Sequence, residues 1–137
     1  MRERIQLTRE IDLQTATIRC RQFALSSGMD PVPTQKLATA VSELTRNVYK
    51  YAGCQGWVDM MLIEDDSAGW VQVEVIDKGP GIDNLDLAMA DNYSSSGTLG
   101  LGLPGVRRLV DHFDIRSTPG EGTRVCVRMN CRNRRTA

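Results

Sequence analysis

The chain has 137 residues, of which 41% are hydrophobic and 25% charged, a composition typical of one ordinary globular domain. Lysine plus arginine and aspartate plus glutamate each number 17, so the formal net charge is zero and indicates neither a nucleic-acid nor a membrane-surface partner. No apolar run approaches the ~20 residues of a membrane span, and the charged N-terminus is not that of a signal peptide. We therefore expect a cytoplasmic single domain over residues 1–137, with a basic, solvated tail at about 130–137.

The cysteines exclude some kinds of site. Cys20, Cys54, Cys126 and Cys131 form no C-x-x-C pair, and the single histidine, His112, is remote from them in sequence. A zinc site and a Ser-His-Asp hydrolase are therefore disfavoured. In a reducing compartment we expect free thiols, with Cys126 packed in the core of an alternating strand.

Hydrophobic patterning predicts a strand followed by two helices in the first part of the chain. Residues 4–8 alternate and predict a short edge strand. Asp12 is expected to cap a helix that ends at Gly28. The second helix begins at Pro33 or Thr34 and ends near Gly53, because apolar residues recur along it at steps of three and four.

The second part of the chain reads as a hairpin, a helix and two strands. Residues 57–63 and 70–76 alternate on either side of a polar turn, which predicts a β-hairpin. Later elements are a short helix at 85–90, a helix after Gly105 that buries Val106, Leu109, Val110 and Phe113 and includes His112, and strands at 114–117 and 123–129.

The order β-α-α-β-β-α-β-β predicts the fold class. Strands of this spacing pair mainly antiparallel, and helices gathered on one face of the sheet give a two-layer α/β sandwich of the α+β class. We expect a mixed, mostly antiparallel sheet whose second face is solvated or used for contacts.

Two polar residues on the second helix are the first candidates for chemistry. Glu43 and Asn47 are four residues apart, so they lie one turn apart on the same side of that helix. A carboxylate and a carboxamide placed in this way can hold a metal ion, a water or a hydroxyl. The alternative is a solvated polar strip on an amphipathic helix.

A second candidate follows the hairpin, where Asp77 is succeeded by Gly79 and Gly81 at alternate positions. Glycine allows the backbone to approach a flat ligand closely, and an aspartate accepts a hydrogen bond from an amine such as that of adenine. An ordinary turn explains the same residues, because D-K-G-P-G is favourable turn chemistry.

A third candidate is the glycine-rich stretch that leads into the third predicted helix. Its glycines are Gly97, Gly100, Gly102 and Gly105. Backbone N–H groups at a helix N-terminus suit a phosphate chain. The order of glycines is neither that of a dinucleotide-binding βαβ unit nor that of a P-loop, and a flexible surface loop is the alternative.

Together these motifs resemble the GHKL (Bergerat-fold) ATP-binding family, and the resemblance covers nearly the whole chain. The N box resembles S-E-L-T-R-N-V-Y-K-Y-A at residues 42–52, and the G1 box resembles D-K-G-P-G-I at 77–82. The glycine-rich lid resembles G-T-L-G-L-G-L-P-G at 97–105, and a last box resembles G-E-G-T at 120–123.

The resemblance implies a role for each matching residue. Glu43 would act as the base on, or orient, a substrate hydroxyl, and Asn47 would bind Mg²⁺ that bridges the phosphates of ATP. Asp77 would accept from the adenine amine, and Thr123 would support Asp77 or a bridging water. The residues implied to contact ATP are Asn47, Asp77, Gly79, Gly81, Ile82, Gly97, Thr98, Gly100, Leu101, Gly102, Leu103, Gly105 and Thr123.

Within the family, the N box and the lid look most like those of RsbT-type switch kinases. Such kinases phosphorylate serine or threonine on STAS-domain proteins and then activate a partner, typically a PP2C-type phosphatase. An anti-sigma factor of the same fold, which sequesters a sigma subunit and phosphorylates its antagonist, is the alternative. A histidine-kinase domain is disfavoured because no dimerisation helix pair is present.

Overall fold

A computed structural model describes residues 1–53, 55–90 and 102–133, without the side chains of residues 86, 87, 132 and 133. Its elements, in chain order, are β1 (Arg2–Leu7), α1 (Ile11–Ser26), α2 (Pro31–Ala52), β2 (Gly56–Glu64), β3 (Ala68–Asp77), α3 (Leu85–Ala88), α4 (Gly102–Leu109), β4 (His112–Thr118) and β5 (Gly122–Asn133).

The five strands form one sheet with the order β1-β2-β3-β5-β4. All four strand pairings within the described ranges are antiparallel. Alternate residues of the central strands, such as Val71, Val73 and Val75, are at most 2% exposed, so the middle of one face of the sheet is covered. Helices α1 and α2 pack on that face, hereafter the inner face, and the predicted two-layer α+β sandwich is confirmed.

Helix α2 forms the centre of the helical layer because its apolar residues follow the helical period. Leu37, Val41 and Leu44 are at most 2% exposed and join the core beneath the helix. The helix starts at Pro31, earlier than predicted, because the ring of Pro31 is preset for the first helical position. It ends where predicted, at Gly53, whose φ of 61° is left-handed and whose N–H donates to the carbonyl of Val48.

Asp12 does not cap α1 as predicted. The helix begins at Ile11, and the Asp12 carboxylate instead accepts the backbone N–H groups of Thr8 and Arg9 at 2.9 and 2.8 Å. These hydrogen bonds hold the pKa of Asp12 below its usual range. Asp12 therefore fixes the turn that leads from β1 into the helix.

The predicted third helix is too long at its C-terminal end. Helix α4 stops at Leu109, and Phe113 packs on the core from strand β4. His112, which we expected inside a core helix, is exposed at the start of β4. The cause is pairing with the sheet, since the N–H of Asp111 already donates to the carbonyl of Arg128 at 3.0 Å.

The predicted basic tail is part of the sheet as far as Asn133. Strand β5 pairs with β3 up to the register of Ala68 with Asn133, and Cys131 is 5% exposed. The side chain of Arg128 donates to Gln72 at 2.8 Å. Arg128 therefore alternates with the buried residues Val127 and Met129 of this strand, and residues 134–137 lie outside the described ranges.

The cysteines that the structure describes, Cys20, Cys126 and Cys131, are free thiols, as expected, whereas Cys54 is outside the described residues. Burial raises the pKa of the Cys20 thiol to about 12. The prediction for Cys126 was wrong, because it is half-buried and lies in register with Glu74 on the face opposite the helices.

No helix in the described ranges is long and apolar enough to cross a membrane.

The packing of α2 predicts the effect of a core truncation. Leu37 is 0% exposed, so Leu37→Ala should lower the free energy of unfolding by about 3 kcal/mol through lost burial and a cavity. Val32, 65% exposed on the same helix, is the matched control, and Val32→Ala should change stability by less than about 0.5 kcal/mol. Urea unfolding followed by tryptophan fluorescence measures both, and equal losses would contradict this packing.

Candidate functional site

The candidate site lies at one end of the inner face of the sheet. There, Gly56, Asp77, Thr123 and Ser117 stand in register across β2, β3, β5 and β4. The next row inward is wholly apolar and comprises Val58, Val75, Val125 and Ile115. The inner face thus changes from core to polar surface within one row, and the sequence-predicted Asp77 and Thr123 are brought side by side.

Asp77 is placed to accept a hydrogen bond from a ligand. It is half-buried at the end of β3, and its Oδ1 atom accepts the N–H of Gly79 at 2.9 Å. Burial raises the pKa of Asp77, against backbone hydrogen bonds from Gly79 and Thr123 that lower it. A desolvated carboxylate with spare acceptor capacity suits an amine donor.

Residues 77–82, hereafter the aspartate loop, contact the end of α2 on one side. A Cβ added at Gly79 would lie 2.5 Å from the Cβ of Ala52, so no side chain fits between the loop and the helix. The N–H of Lys78 donates to the carbonyl of Gln55 at 2.9 Å. Gly79 is therefore required by the close approach of α2.

On its other side, the aspartate loop contacts residues 118–122, hereafter the hairpin turn, which join β4 to β5. The N–H of Gly120 donates to the carbonyl of Pro80 at 2.7 Å. Gly81 has a φ of +78°, and a Cβ there would lie 2.4 Å from the carbonyl oxygen of Thr118. A Cβ on Gly122 would lie 2.1 Å from the carbonyl oxygen of Asp77. Both predicted boxes are thus packed against each other through their glycines.

Ser117 is a site residue that the sequence analysis missed. Its hydroxyl accepts the N–H of Ile82 at 2.7 Å, lies 2.8 Å from the Thr123 hydroxyl and lies 3.1 Å from the carbonyl oxygen of Gly122. It therefore links the aspartate loop to β5. The sequence placed Ser117 in a strand, but only the register of β4 with β5 shows what its hydroxyl meets.

Glu43 and Asn47 lie on α2 at the edge of its buried face, and both are partly exposed. The Glu43 side chain is 15% exposed, and its carboxylate lies 3.8 Å from the guanidinium of Arg46, which is mostly in solvent. Along the helix axis, Asn47 lies ~7.5 Å and Glu43 ~13.5 Å from Ala52, at 1.5 Å per residue. The carboxamide is thus nearer to the aspartate loop than the carboxylate.

Part of the glycine-rich stretch can be described. Gly102, Leu103 and Gly105 belong to α4, which packs against α2, and Gly105 is buried. Gly102 has a φ of +66° at the start of the helix, a conformation that favours glycine. The predicted site residues Gly97, Thr98, Gly100 and Leu101 lie outside the described residues.

Comparison with known families identifies the class of protein. Residues 33–133 match the family described as histidine kinase-, DNA gyrase B- and HSP90-like ATPases. That range contains almost all of α2 and every later element. It therefore includes the whole row formed by Gly56, Asp77, Thr123 and Ser117, hereafter the polar row. The chain belongs to this family, which confirms the GHKL resemblance and the use of ATP that it implies.

The chain is similar to a curated serine/threonine-protein kinase and to several curated anti-sigma F factors. The chain is 38% identical over 121 residues to the serine/threonine-protein kinase RsbT of Bacillus subtilis, covering 88% of this chain and 90% of RsbT. It is 32% identical over 123 residues to the anti-sigma F factor of Clostridium beijerinckii, covering 82% and 83% of the two chains. The enzyme class expected from the sequence, an ATP-dependent protein serine/threonine kinase, is confirmed.

Solved structures show the same fold. The RsbU and RsbW domains of a Mycobacterium tuberculosis protein match 94% of this chain with a TM-score of 0.69 and 19% identity, and the chain spans 32% of that longer structure. The structure of the mycobacterial sensor histidine kinase MprB matches this chain with a TM-score of 0.56 and 20% identity. The match covers 88% of this chain and 93% of the MprB chain. The predicted Bergerat fold is therefore confirmed.

The two sides of the aspartate loop allow a matched test of its packing. Gly81 and Gly120 both have left-handed φ values, but a Cβ on Gly120 would meet nothing within 4 Å. We expect Gly120→Ala to lower the free energy of unfolding by about 1 kcal/mol through backbone strain alone. Gly81→Ala should cost about 3 kcal/mol because a clash adds to the strain. Denaturant unfolding measures the difference, and equal costs would show that the loop does not press on the hairpin turn.

Proposed function

We propose that this chain, as one kinase domain over residues 1–137, transfers the γ-phosphate of ATP to a serine or threonine of STAS-domain proteins. It then acts as a partner switch, activating a PP2C-type phosphatase. The observation that carries the proposal is 38% identity to RsbT along 88% of the chain. We also propose that the protein is located in the cytoplasm. That compartment supplies ATP and keeps thiols such as Cys20 and Cys131 reduced.

The polar row provides a place for the adenine ring. Asp77 accepts backbone hydrogen bonds from Gly79 and Thr123 and still has unused acceptor capacity, which burial makes costly. The amine of adenine supplies the missing donor. Gly79 and Gly81 carry no side chain that could cover the loop, and the N–H of Ile82 is already bound by Ser117, so Ile82 would contribute apolar contact.

Asn47 is the residue that we assign to Mg²⁺. The structure describes no group of three or more histidine, cysteine, aspartate or glutamate side chains that could hold a metal by itself. Mg²⁺ usually keeps several waters and binds through one or two protein oxygens plus substrate phosphates, so a single partly exposed carboxamide fits this donor set. When bound, Mg²⁺ neutralises phosphate charge. Backbone N–H groups of residues 97–105 would bind the same phosphates.

Glu43 is assigned as the base that takes or orients the proton of the acceptor hydroxyl. Its side chain is 15% exposed on α2, on the same side as Asn47, which leaves the carboxylate in contact with solvent. Arg46, 3.8 Å away and mostly in solvent, is placed to limit the motion of this carboxylate or to contact the substrate protein. Because phosphoryl transfer depends mainly on positioning and charge, these are the contributions the chain must make.

The order of the candidate residues along α2 supports this assignment. The helix contacts the aspartate loop at Ala52, then presents Asn47 and, further away, Glu43. An extended nucleotide with its base at Asp77 would place phosphates near Asn47 and the transferred group towards Glu43. The adenine ring, the metal ion and the acceptor hydroxyl would thus be arranged in this order along one helix.

An anti-sigma factor is the second candidate, because several anti-sigma F factors are similar to this chain, one of them 32% identical over 82% of it. In that case the chain would bind a sigma subunit and phosphorylate its antagonist. Affinity capture of the tagged chain from its own host separates the two. Recovery of STAS-domain and phosphatase partners supports the kinase proposal, whereas recovery of a sigma subunit supports the alternative.

Asp77→Asn tests the adenine site through both binding and stability. The pKa of Asp77 is raised in the folded state. Its contribution to the free energy of unfolding is therefore fully present below the ordinary pKa of aspartate and is lost as the pH rises through the folded-state pKa. At pH 7 the substitution should therefore not destabilise the fold, while ATP affinity falls at least ~tenfold through loss of a charge-assisted hydrogen bond. Calorimetric titration and thermal unfolding measure both. Unchanged ATP affinity would remove Asp77 from the site.

Glu43→Gln tests the base. The amide cannot accept a proton, so transfer to a STAS-domain protein should fall at least ~100-fold while ATP binding stays normal. Glu10→Gln, an exposed glutamate at the start of α1, is the control and should keep full activity. Mass spectrometry of the substrate after incubation with Mg-ATP gives the rate. Normal transfer by Glu43→Gln would refute the assignment.

A further inference from the structure

We propose that Ser117 is a positioning residue that holds the Thr123 hydroxyl as a hydrogen-bond acceptor towards the nucleotide base, and that it thereby favours adenine over guanine. The inference rests on the proposed adenine site. Three contacts of the Ser117 hydroxyl, all within 3.1 Å, carry it.

The three contacts of the Ser117 hydroxyl determine where its proton lies. A serine hydroxyl can donate one hydrogen bond and accept two. The N–H of Ile82 can only donate, and the carbonyl of Gly122 can only accept, so Ser117 accepts from the first and donates to the second. Its remaining capacity is to accept, and the hydroxyl 2.8 Å away on Thr123 is then the donor. This is the one arrangement that satisfies all three contacts together.

With its proton directed to Ser117, the Thr123 oxygen presents only lone pairs to its other neighbours. Thr123 is in register with Asp77 on the inner face, and both are partly exposed there. The polar row therefore offers two adjacent acceptors and no side-chain hydroxyl donor.

The two purines differ in the group that they would present to these acceptors. Adenine carries an amine donor at the position where guanine carries a carbonyl acceptor. In direct contact, acceptors at Asp77 and Thr123 match the adenine amine and repel the guanine carbonyl. If Ser117 lost its hydroxyl, the Thr123 hydroxyl could rotate and donate to that carbonyl, so discrimination would weaken.

Calorimetric titration of the full chain with ADP and with GDP tests this without requiring catalysis. Ser117→Ala should weaken ADP binding about fivefold, the value of one hydrogen bond, and leave GDP binding unchanged or stronger. Ser117→Thr keeps the hydroxyl and should keep the preference. Ser67→Ala is the matched control, because it removes a serine hydroxyl that bonds Asp65 in the turn between β2 and β3.

A double-mutant cycle separates this role from simple stabilisation of the loop. Thr123→Val removes the acceptor and should also reduce the ADP preference, and adding Ser117→Ala should reduce it no further, because Ser117 acts through Thr123. Equal weakening of ADP and GDP by Ser117→Ala, or an additive double variant, would overturn the proposal. If Ser117→Ala does not fold, the Thr123→Val variant is sufficient by itself. An unchanged preference for ADP over GDP in that variant would overturn the proposal. If the unsubstituted chain binds no ADP, the proposed function itself fails.

Discussion

The close packing of the aspartate loop between α2 and the hairpin turn is the constraint on which the rest of the site depends. Three separate approaches, at Gly79, Gly81 and Gly122, leave no room for a single Cβ. The loop thereby connects the helical layer to both strands of the C-terminal hairpin. Because such contacts cannot be adjusted by rotating a side chain, Asp77 is held at one position relative to α2, and so are the candidate residues that α2 carries.

The same constraint explains why the site lies where the core ends. The inner face is apolar as far as the row of Val58, Val75 and Val125, and it then ends in Asp77, Thr123 and Ser117. Asp77 is desolvated there and its pKa is raised, which opposes folding at neutral pH. Retaining a carboxylate at a position where it does not favour stability is typical of a binding site.

Much of this could be predicted from the sequence, for local reasons. The period of α2 and its stop at Gly53 are encoded by neighbouring residues, and D-K-G-P-G at the end of an alternating strand marks the aspartate loop. The contacts of Ser117 could not be predicted, because they depend on the register between β4 and β5. The error at His112 has a similar origin: helical spacing continued past Leu109, but pairing with Arg128 decided the structure. The extent of β5 was also missed, since residues 130–133 resemble a basic tail in sequence and only their pairing with β3 makes them a strand.

In the proposed site, a nucleotide base occupies the polar row and its phosphates lie along α2. The most direct test is a titration of the ¹⁵N-labelled chain with ADP and Mg²⁺, followed by amide chemical shifts. We expect large shifts at Asp77, Gly79, Gly81 and Thr123 and smaller ones along α2 around Asn47, with no change in the turn around Ser67 between β2 and β3. Shifts confined to the outer face of the sheet, or none at saturating ADP, would contradict it.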